Sequence, residues 1–243
     1  MALITLVTGL GSPAGDDICM IAHRGYSGKY TENTELAFEK AAENGSGGAE
    51  TDIRMTKDGV YVCSHNSSVV LKDGTELEVS ENTYADLTAQ PLQPKKGNDE
   101  VYLCTFKTYL ECMKKHDMIC FIELKGEFDD EHIKEIFNLA AQVYDLKMCI
   151  LQSFDFDNLI KAHTFFPDLQ IMLTYGADDT GYERCFEYGF SIDAHYSCIT
   201  DEMVNAFHER GLKVAAWTAN NIFQLCYCKT LGLDYIESDY FGG

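Results

Sequence analysis

Positive charge is scarce in this chain: 19 Lys and Arg stand against 39 Asp and Glu in 243 residues, a formal net charge of −20 at pH 7. That balance argues against nucleic acid and anionic membrane surfaces as partners, because both are polyanions. No apolar run approaches the length of a membrane-spanning helix, so stable insertion into a bilayer is not expected. No Lys or Arg precedes Arg24, so the opening stretch MALITLVTGLGSPAGDD lacks the charged head of a secretory signal. Ten cysteines occur, yet no Cys-x-x-Cys pair. Most fall in apolar runs (Cys19, Cys63, Cys120, Cys149) or on expected helices (Cys112, Cys185, Cys226, Cys228). Buried, reduced thiols and a cytoplasmic location are the expectation. Internal repeats, low-complexity tracts and linkers are also missing, which leaves one domain spanning 1–243.

What is present begins with 46% hydrophobic residues, enough to fill one substantial core. Apolar runs at Cys19–Ala22, Ala49–Arg54, Val60–Ser64, Met118–Glu123, Met148–Gln152, Gln170–Leu173, Ser191–Ala194, Lys213–Thr218 and Asp234–Glu237 are strand candidates. Helical patterns separate most of them: Thr34–Asn44, Asp129–Tyr144, Asp155–Phe165, Asp178–Tyr188, Thr200–Arg210 and Asn221–Leu231. Alternation of this kind means a parallel sheet. The link from Arg54 to Val60 is too short for a parallel crossover, so Val60–Ser64 returns as a hairpin and eight strands remain. The expected fold is α/β, a (β/α)8 TIM barrel with a hairpin after its second strand. Residues 66–117 exceed one connection and hold turn signals (Lys72-Asp73-Gly74, Pro91, Pro94, Gly97) and two helical stretches, near Asn82–Leu87 and Thr105–His116. They read as a single excursion from the one domain.

The chemistry concentrates between Ile21 and Asn66. Glu50 and Asp52, one residue apart on a strand, point to the same face. The turn Met55-Thr56-Lys57-Asp58-Gly59 brings His65 back to roughly the level of Glu50. His23 and Arg24 directly follow the first strand, where barrels carry their functional groups. Two carboxylates for a hard cation, an arginine for an anion and two histidines for proton transfer suggest metal-assisted attack on a phosphate ester.

Several ordered motifs here resemble the glycerophosphodiester phosphodiesterase family, within the phospholipase-C-like phosphodiesterase barrels. They are His23-Arg24-Gly25, Glu32-Asn33-Thr34, Ala37-Phe38, Glu50-Thr51-Asp52, Thr56-Lys57-Asp58-Gly59 and His65, and from residue 18 on the resemblance covers about the whole chain. Glu123 and Lys125 match the family's Glu-Leu-Lys segment. With Glu50 and Asp52, Glu123 completes an oxygen site suited to one divalent cation, Ca2+ or Mg2+, rather than zinc. The resemblance implies that the excursion over 66–117 is a small insertion near the barrel mouth, and that the activity is hydrolysis of a small-molecule glycerophosphodiester to sn-glycerol 3-phosphate and an alcohol. Arg24 and Lys125 would bind the phosphate, and His23 and His65 would serve as general acid and base in unassigned order. Glu32 either orients Arg24 or a histidine, or belongs to a helix start. Trp217 is either an aromatic plug or a wall for the glycerol part. Gln152-Ser153-Phe154-Asp155 and Asp239 match family strand ends and read as architecture. His195 is a minor candidate for the mouth; His116, His132, His163 and His208 fall on helical stretches and read as solvated.

Two departures stand out. The usual proline before Glu32 is Thr31, and the usual His-Asp pair is His65-Asn66. The second opens two alternatives to the leading function. One is a related lipid or phosphonate phosphodiesterase with a retuned pocket; the other is a catalytically weak barrel that only binds phosphodiesters.

Overall fold

A computed structural model describes residues 18–95 and 99–240; the opening stretch and Gly97 named above lie outside these residues. In chain order the strands are β1 (Cys19–Ala22), β2 (Gly48–Met55), β3 (Tyr61–Cys63), β4 (Ser68–Val70), β5 (Glu76–Glu78), β6 (Ile119–Leu124), β7 (Cys149–Ser153), β8 (Gln170–Tyr175), β9 (Ser191–His195), β10 (Val214–Trp217) and β11 (Tyr235–Ser238). The helices are α1 (Glu35–Glu43), α2 (Tyr84–Leu87), α3 (Phe106–His116), α4 (Asp130–Val143), α5 (Phe156–Phe165), α6 (Cys185–Tyr188), α7 (Asp201–His208) and α8 (Ile222–Thr230). Strands β1, β2, β6, β7, β8, β9, β10 and β11 pair in parallel, and β1 closes on both β2 and β11. The result is the expected closed eight-stranded barrel, with helices between its strands.

β3 runs antiparallel on β2, pairing Ile53 with Cys63 and Met55 with Tyr61. This is the hairpin forced by the short Thr56–Gly59 turn, whose Gly59 takes φ 80°. Beyond it, β4 and β5 form a separate hairpin around Lys72-Asp73-Gly74. Helix α3 lies between the parallel neighbours β2 and β6 and buries Phe106, Tyr109, Leu110 and Met113, so it is the barrel's own crossover helix. The excursion therefore ends before it, at about Thr105.

Helix starts follow side-chain capping. Thr34, Thr105, Asp129, Asp155, Thr200 and Asn221 each accept a backbone N–H of the first turn. The expected helix Asp178–Tyr188 is largely absent: Gly181 takes φ 80°, and only a 3-10 turn at Tyr182–Arg184 and the single turn α6 form.

The barrel interior changes character within one pleat. Ile21, Phe121, Ile150, Met172 and Ala215 form a buried apolar layer. Two residues further along each strand, on the same face, stand His23, Glu123, Gln152, Thr174 and Trp217, all lining one cavity. The barrel is thus filled by hydrocarbon below and by polar and aromatic side chains at its carboxyl-terminal end. No helix among the described residues is long and apolar enough to cross a membrane. The ten cysteines are free, with seven of them buried and Cys226 exposed.

Candidate active site

The cavity at that end measures about 110 Å³ and is lined by His23, Arg24, His65, Glu123, Lys125, Gln152, Phe154, Thr174, Asp193, Trp217 and Glu237. Glu50 and Asp52 stand on β2 beside it, and strand register sets Asp52 directly opposite Glu123. Ligand atoms of Glu50, Asp52 and Glu123 all lie within 4.8 Å of one another, with all three side chains buried.

Asp52 is the most heavily partnered of the three. Lys125 Nζ lies 3.0 Å from its Oδ1, and Arg24 Nε 3.4 Å from its Oδ2. The Asn33 amide donates to Oδ2 at 2.8 Å, while Asn33 Oδ1 accepts from the Thr51 hydroxyl at 2.8 Å. Burial opposes ionisation of Asp52, but Lys125, then Arg24 and the Asn33 amide outweigh it and hold its carboxyl below the ordinary value. Glu123 accepts from Lys125 Nζ at 2.6 Å. Its carboxyl is nevertheless pushed up to about 6, by burial first and only partly offset by Lys125. Glu50 accepts the Arg24 backbone N–H at 2.8 Å through Oε2, while its buried Oε1 has no hydrogen-bond partner. Burial, then Asp52 and Glu237, push its carboxyl well above the ordinary range. Three crowded carboxyls with a bare buried oxygen suit a hard divalent cation, which takes oxygen ligands and supplies the missing charge.

Arg24 sits at φ 58°, a left-handed conformation seldom taken by a side-chain-bearing residue. Its guanidinium is tied to Glu32, Nη1 to Oε1 at 3.1 Å, and Glu32 is also bridged by Lys95 at 3.3 Å. The structure thus gives Glu32 the Arg24 contact, while Thr34 caps α1.

The two histidines are anchored differently. His23 Nδ1 donates to Asp239 Oδ1 at 2.7 Å, and Asp239 also accepts from the Ser27 hydroxyl at 3.0 Å and the Asn220 amide at 2.7 Å. That leaves Nε2 as the remaining ring nitrogen of His23. His65 Nδ1 donates to Asn66 Oδ1 at 3.0 Å. Its carbonyl accepts two bonds from Arg54, Nε at 3.2 Å and Nη2 at 2.8 Å. Ser64 N–H donates to Asp52 O at 2.8 Å, which sets His65 one step short of the Glu50 level expected from the hairpin. Burial, reinforced by Arg24 and Lys125 against the opposing Asp52, lowers the His65 pKa.

Trp217 lines the cavity and donates Nε1–H to Asp193 O at 3.2 Å. Its ring meets Phe154 at 5.8 Å and His195 at 5.0 Å, both edge-on. His195 sits beside Trp217 on the neighbouring strand, outside the lining of this cavity, and is bonded to Ser197 at 2.7 Å. Of the helical histidines, His116 is tied to Glu39, His132 to Asp129 and His208 to Asp234, while His163 packs edge-on against Phe190.

Sequence reasoning passed over several cavity residues. Asp239 and Gln152 read as architecture, yet one anchors His23 and the other lines the cavity. Gln152 Nε2 donates at 2.8 Å to both Asp193 Oδ2 and Glu237 Oε1. Asp193 and Glu237 are fully buried, and burial pushes both carboxyls well above the ordinary range. The signal was available: each is an acid inside an apolar strand, at the parity that faces the barrel interior.

Residues 23–242 match the glycerophosphoryl diester phosphodiesterase family. A glycerophosphodiester phosphodiesterase of Bacillus altitudinis is 26% identical over 233 residues, covering 91% of this chain and 94% of that protein. One of Caldanaerobacter subterraneus subsp. tengcongensis is 28% identical over 226 residues, covering 90% and 93%. The fold also matches an Oleispira antarctica phosphodiesterase solved in complex with the product sn-glycerol-3-phosphate. That match has a TM-score of 0.81 at 23% identity and covers 91% of this chain and 93% of the other.

Proposed function

The chain belongs to the glycerophosphoryl diester phosphodiesterase family, and on that premise we propose that it hydrolyses glycerophosphodiesters to sn-glycerol 3-phosphate and an alcohol, using one divalent cation, Ca2+ or Mg2+. The observation that carries this reading is the convergence of His23, Arg24, His65, Glu123 and Lys125 on one cavity, with three buried carboxyls clustered beside it. Phosphodiester hydrolysis needs positive charge at the non-bridging oxygens, a base for water and an acid for the leaving alkoxide. The barrel end holds groups for each.

Glu50, Asp52 and Glu123 would hold the cation, whose chemistry is charge neutralisation on the phosphate. Arg24 presents a planar fork of donors pre-set by Glu32 and Asp52, and Lys125 adds a second fixed charge. His65, kept neutral by burial, is suited to take the proton of the attacking water. His23, with Nδ1–H committed to Asp239, would in its doubly protonated form give the Nε2 proton to the leaving oxygen. Trp217 and Phe154 form the wall against which the non-reacting part of the substrate packs. Asn66 replaces the expected aspartate but still accepts the His65 Nδ1–H, which favours an active enzyme over a weak binding barrel. The free thiols fit a reducing, cytoplasmic setting, and the acidic surface leaves nucleic acid out as a partner.

The test is formation of sn-glycerol 3-phosphate from a panel of glycerophosphodiesters, detected by a coupled dehydrogenase. Product from at least one diester is expected. Tight substrate binding with no product from any of them would make the protein a binding barrel.

A further inference from the structure

The cation cluster is not the whole of the buried acidity. Glu50, Asp52, Glu123, Asp193 and Glu237 are all buried in the same barrel; the cations ion-paired within this group are Arg24 and Lys125, and Arg54 adds a more distant charge towards Asp52 and Glu123. These cations, and a first divalent ion at Glu50, Asp52 and Glu123, all stand on the β2–β6 side, and among the described residues no ion pair reaches Asp193 or Glu237. Asp193 Oδ1 is buried without a hydrogen-bond partner, as are Gln152 Oε1 and Thr174 Oγ1. These bare oxygens belong to side chains that line the cavity, and Gln152 already spends its Nε2 on Asp193 and Glu237. On the β1–β11 side of Glu50, ligand atoms of His23, Glu50 and Glu237 all lie within 4.8 Å of one another.

We propose that the barrel binds a second hard divalent cation between Glu50 and Glu237, with Glu50 shared with the first cation and Asp193 and Gln152 Oε1 turned towards it. This rests on the reading of Glu50, Asp52 and Glu123 as the first cation site. Carboxylate and amide oxygens favour Mg2+, Ca2+ or Mn2+ over softer metals. Of the carboxylates in these two clusters, Glu237 distinguishes the positions, since it belongs to the second only.

Metal-stripped protein dialysed against Mn2+ tests this directly, by counting ions per chain and recording the paramagnetic resonance spectrum. Two ions per chain and a spectrum broadened by coupling between neighbouring ions are expected for the unaltered protein. Glu237→Gln, which keeps the side chain's volume, should bind one ion and give the six-line spectrum of isolated Mn2+. Glu123→Gln should also fall to one. One ion per unaltered chain at saturation overturns the second site while leaving the proposed hydrolysis intact. So does retention of two coupled ions by Glu237→Gln. Binding of none overturns both the second site and the metal dependence.

Discussion

Asn66 occupies the position where the family pattern has aspartate, and the difference is one of charge rather than geometry. Its Oδ1 already takes the His65 Nδ1–H at 3.0 Å, so Asn66→Asp changes the field and little else. A carboxylate beside an imidazole favours the protonated form. The acid limb of the pH–rate profile should therefore move to higher pH, with the plateau rate changed modestly; an unmoved limb would take His65 out of the titrating pair. The histidines themselves should each be worth roughly 10²–10⁴-fold in turnover when replaced by alanine. Because His23 is assigned to the leaving oxygen, a nitrophenyl ester, which needs less acid assistance, should restore His23→Ala more than His65→Ala. The reverse pattern would exchange their roles. Seen from the sequence, His23 and His65 were identifiable by their place at strand ends. Asp239 was not recognisable as a partner of His23, because 216 residues separate them and only barrel closure brings them together.

The hairpin of β2 and β3 is the element that carries most of the site. Its inward face supplies Glu50 and Asp52, and its return strand delivers His65. Arg54, at the end of the same face alternation, spans back to the His65 carbonyl with two N–H groups. Releasing that carbonyl should misplace the imidazole without removing it. Arg54→Met is expected to lower kcat by about 10²-fold with an unchanged melting temperature and near-normal KM; a loss confined to KM would show that Arg54 binds substrate instead. Barrel strands were recognisable at this scale because each is an apolar run between helical patterns, and their bounds shift by only a residue or two. Two elements were hidden for physical reasons. The hairpin β4–β5 has three-residue strands whose Glu76 and Glu78 are exposed, so no apolar alternation marks it. The stretch after β8 carries a helical pattern but is interrupted by Gly181 in a left-handed conformation, with Asp179 accepting the Gly176 N–H at 2.7 Å.

Across the whole molecule, the buried carboxyls make stability depend on pH, and the proposed cation would make it depend on metal as well. Glu123 sits at about 6 against an ordinary 4.5, and burial also pushes Glu50, Asp193 and Glu237 well above their ordinary values. The folded, metal-free protein therefore holds protons that the unfolded chain has already released, so stability falls as pH rises from about 4.5 through 6 and beyond. Glu123 alone accounts for ~2 kcal/mol of that fall. Asp52, held below its ordinary 3.8, works in the opposite sense: its contribution is present above that value and lost as pH falls. Thermal melts of chelated protein should thus show a melting temperature declining between pH 5 and pH 8, and saturating Ca2+ or Mg2+ should remove most of the decline. A metal-free protein whose melting temperature rises across that interval would mean the carboxyls are ionised and compensated without a cation.

The central claim is that Glu50, Asp52 and Glu123 hold a cation that phosphodiester hydrolysis requires. Its most direct test is turnover of glycerophosphodiesters by chelator-treated protein during titration with Ca2+ or Mg2+, beside Glu123→Gln measured identically. The account predicts no turnover without added cation and saturable recovery in the unaltered protein. In Glu123→Gln it predicts a large loss of both metal affinity and rate. Full turnover in the presence of chelator, or a Glu123→Gln protein with unchanged metal affinity and rate, would contradict it.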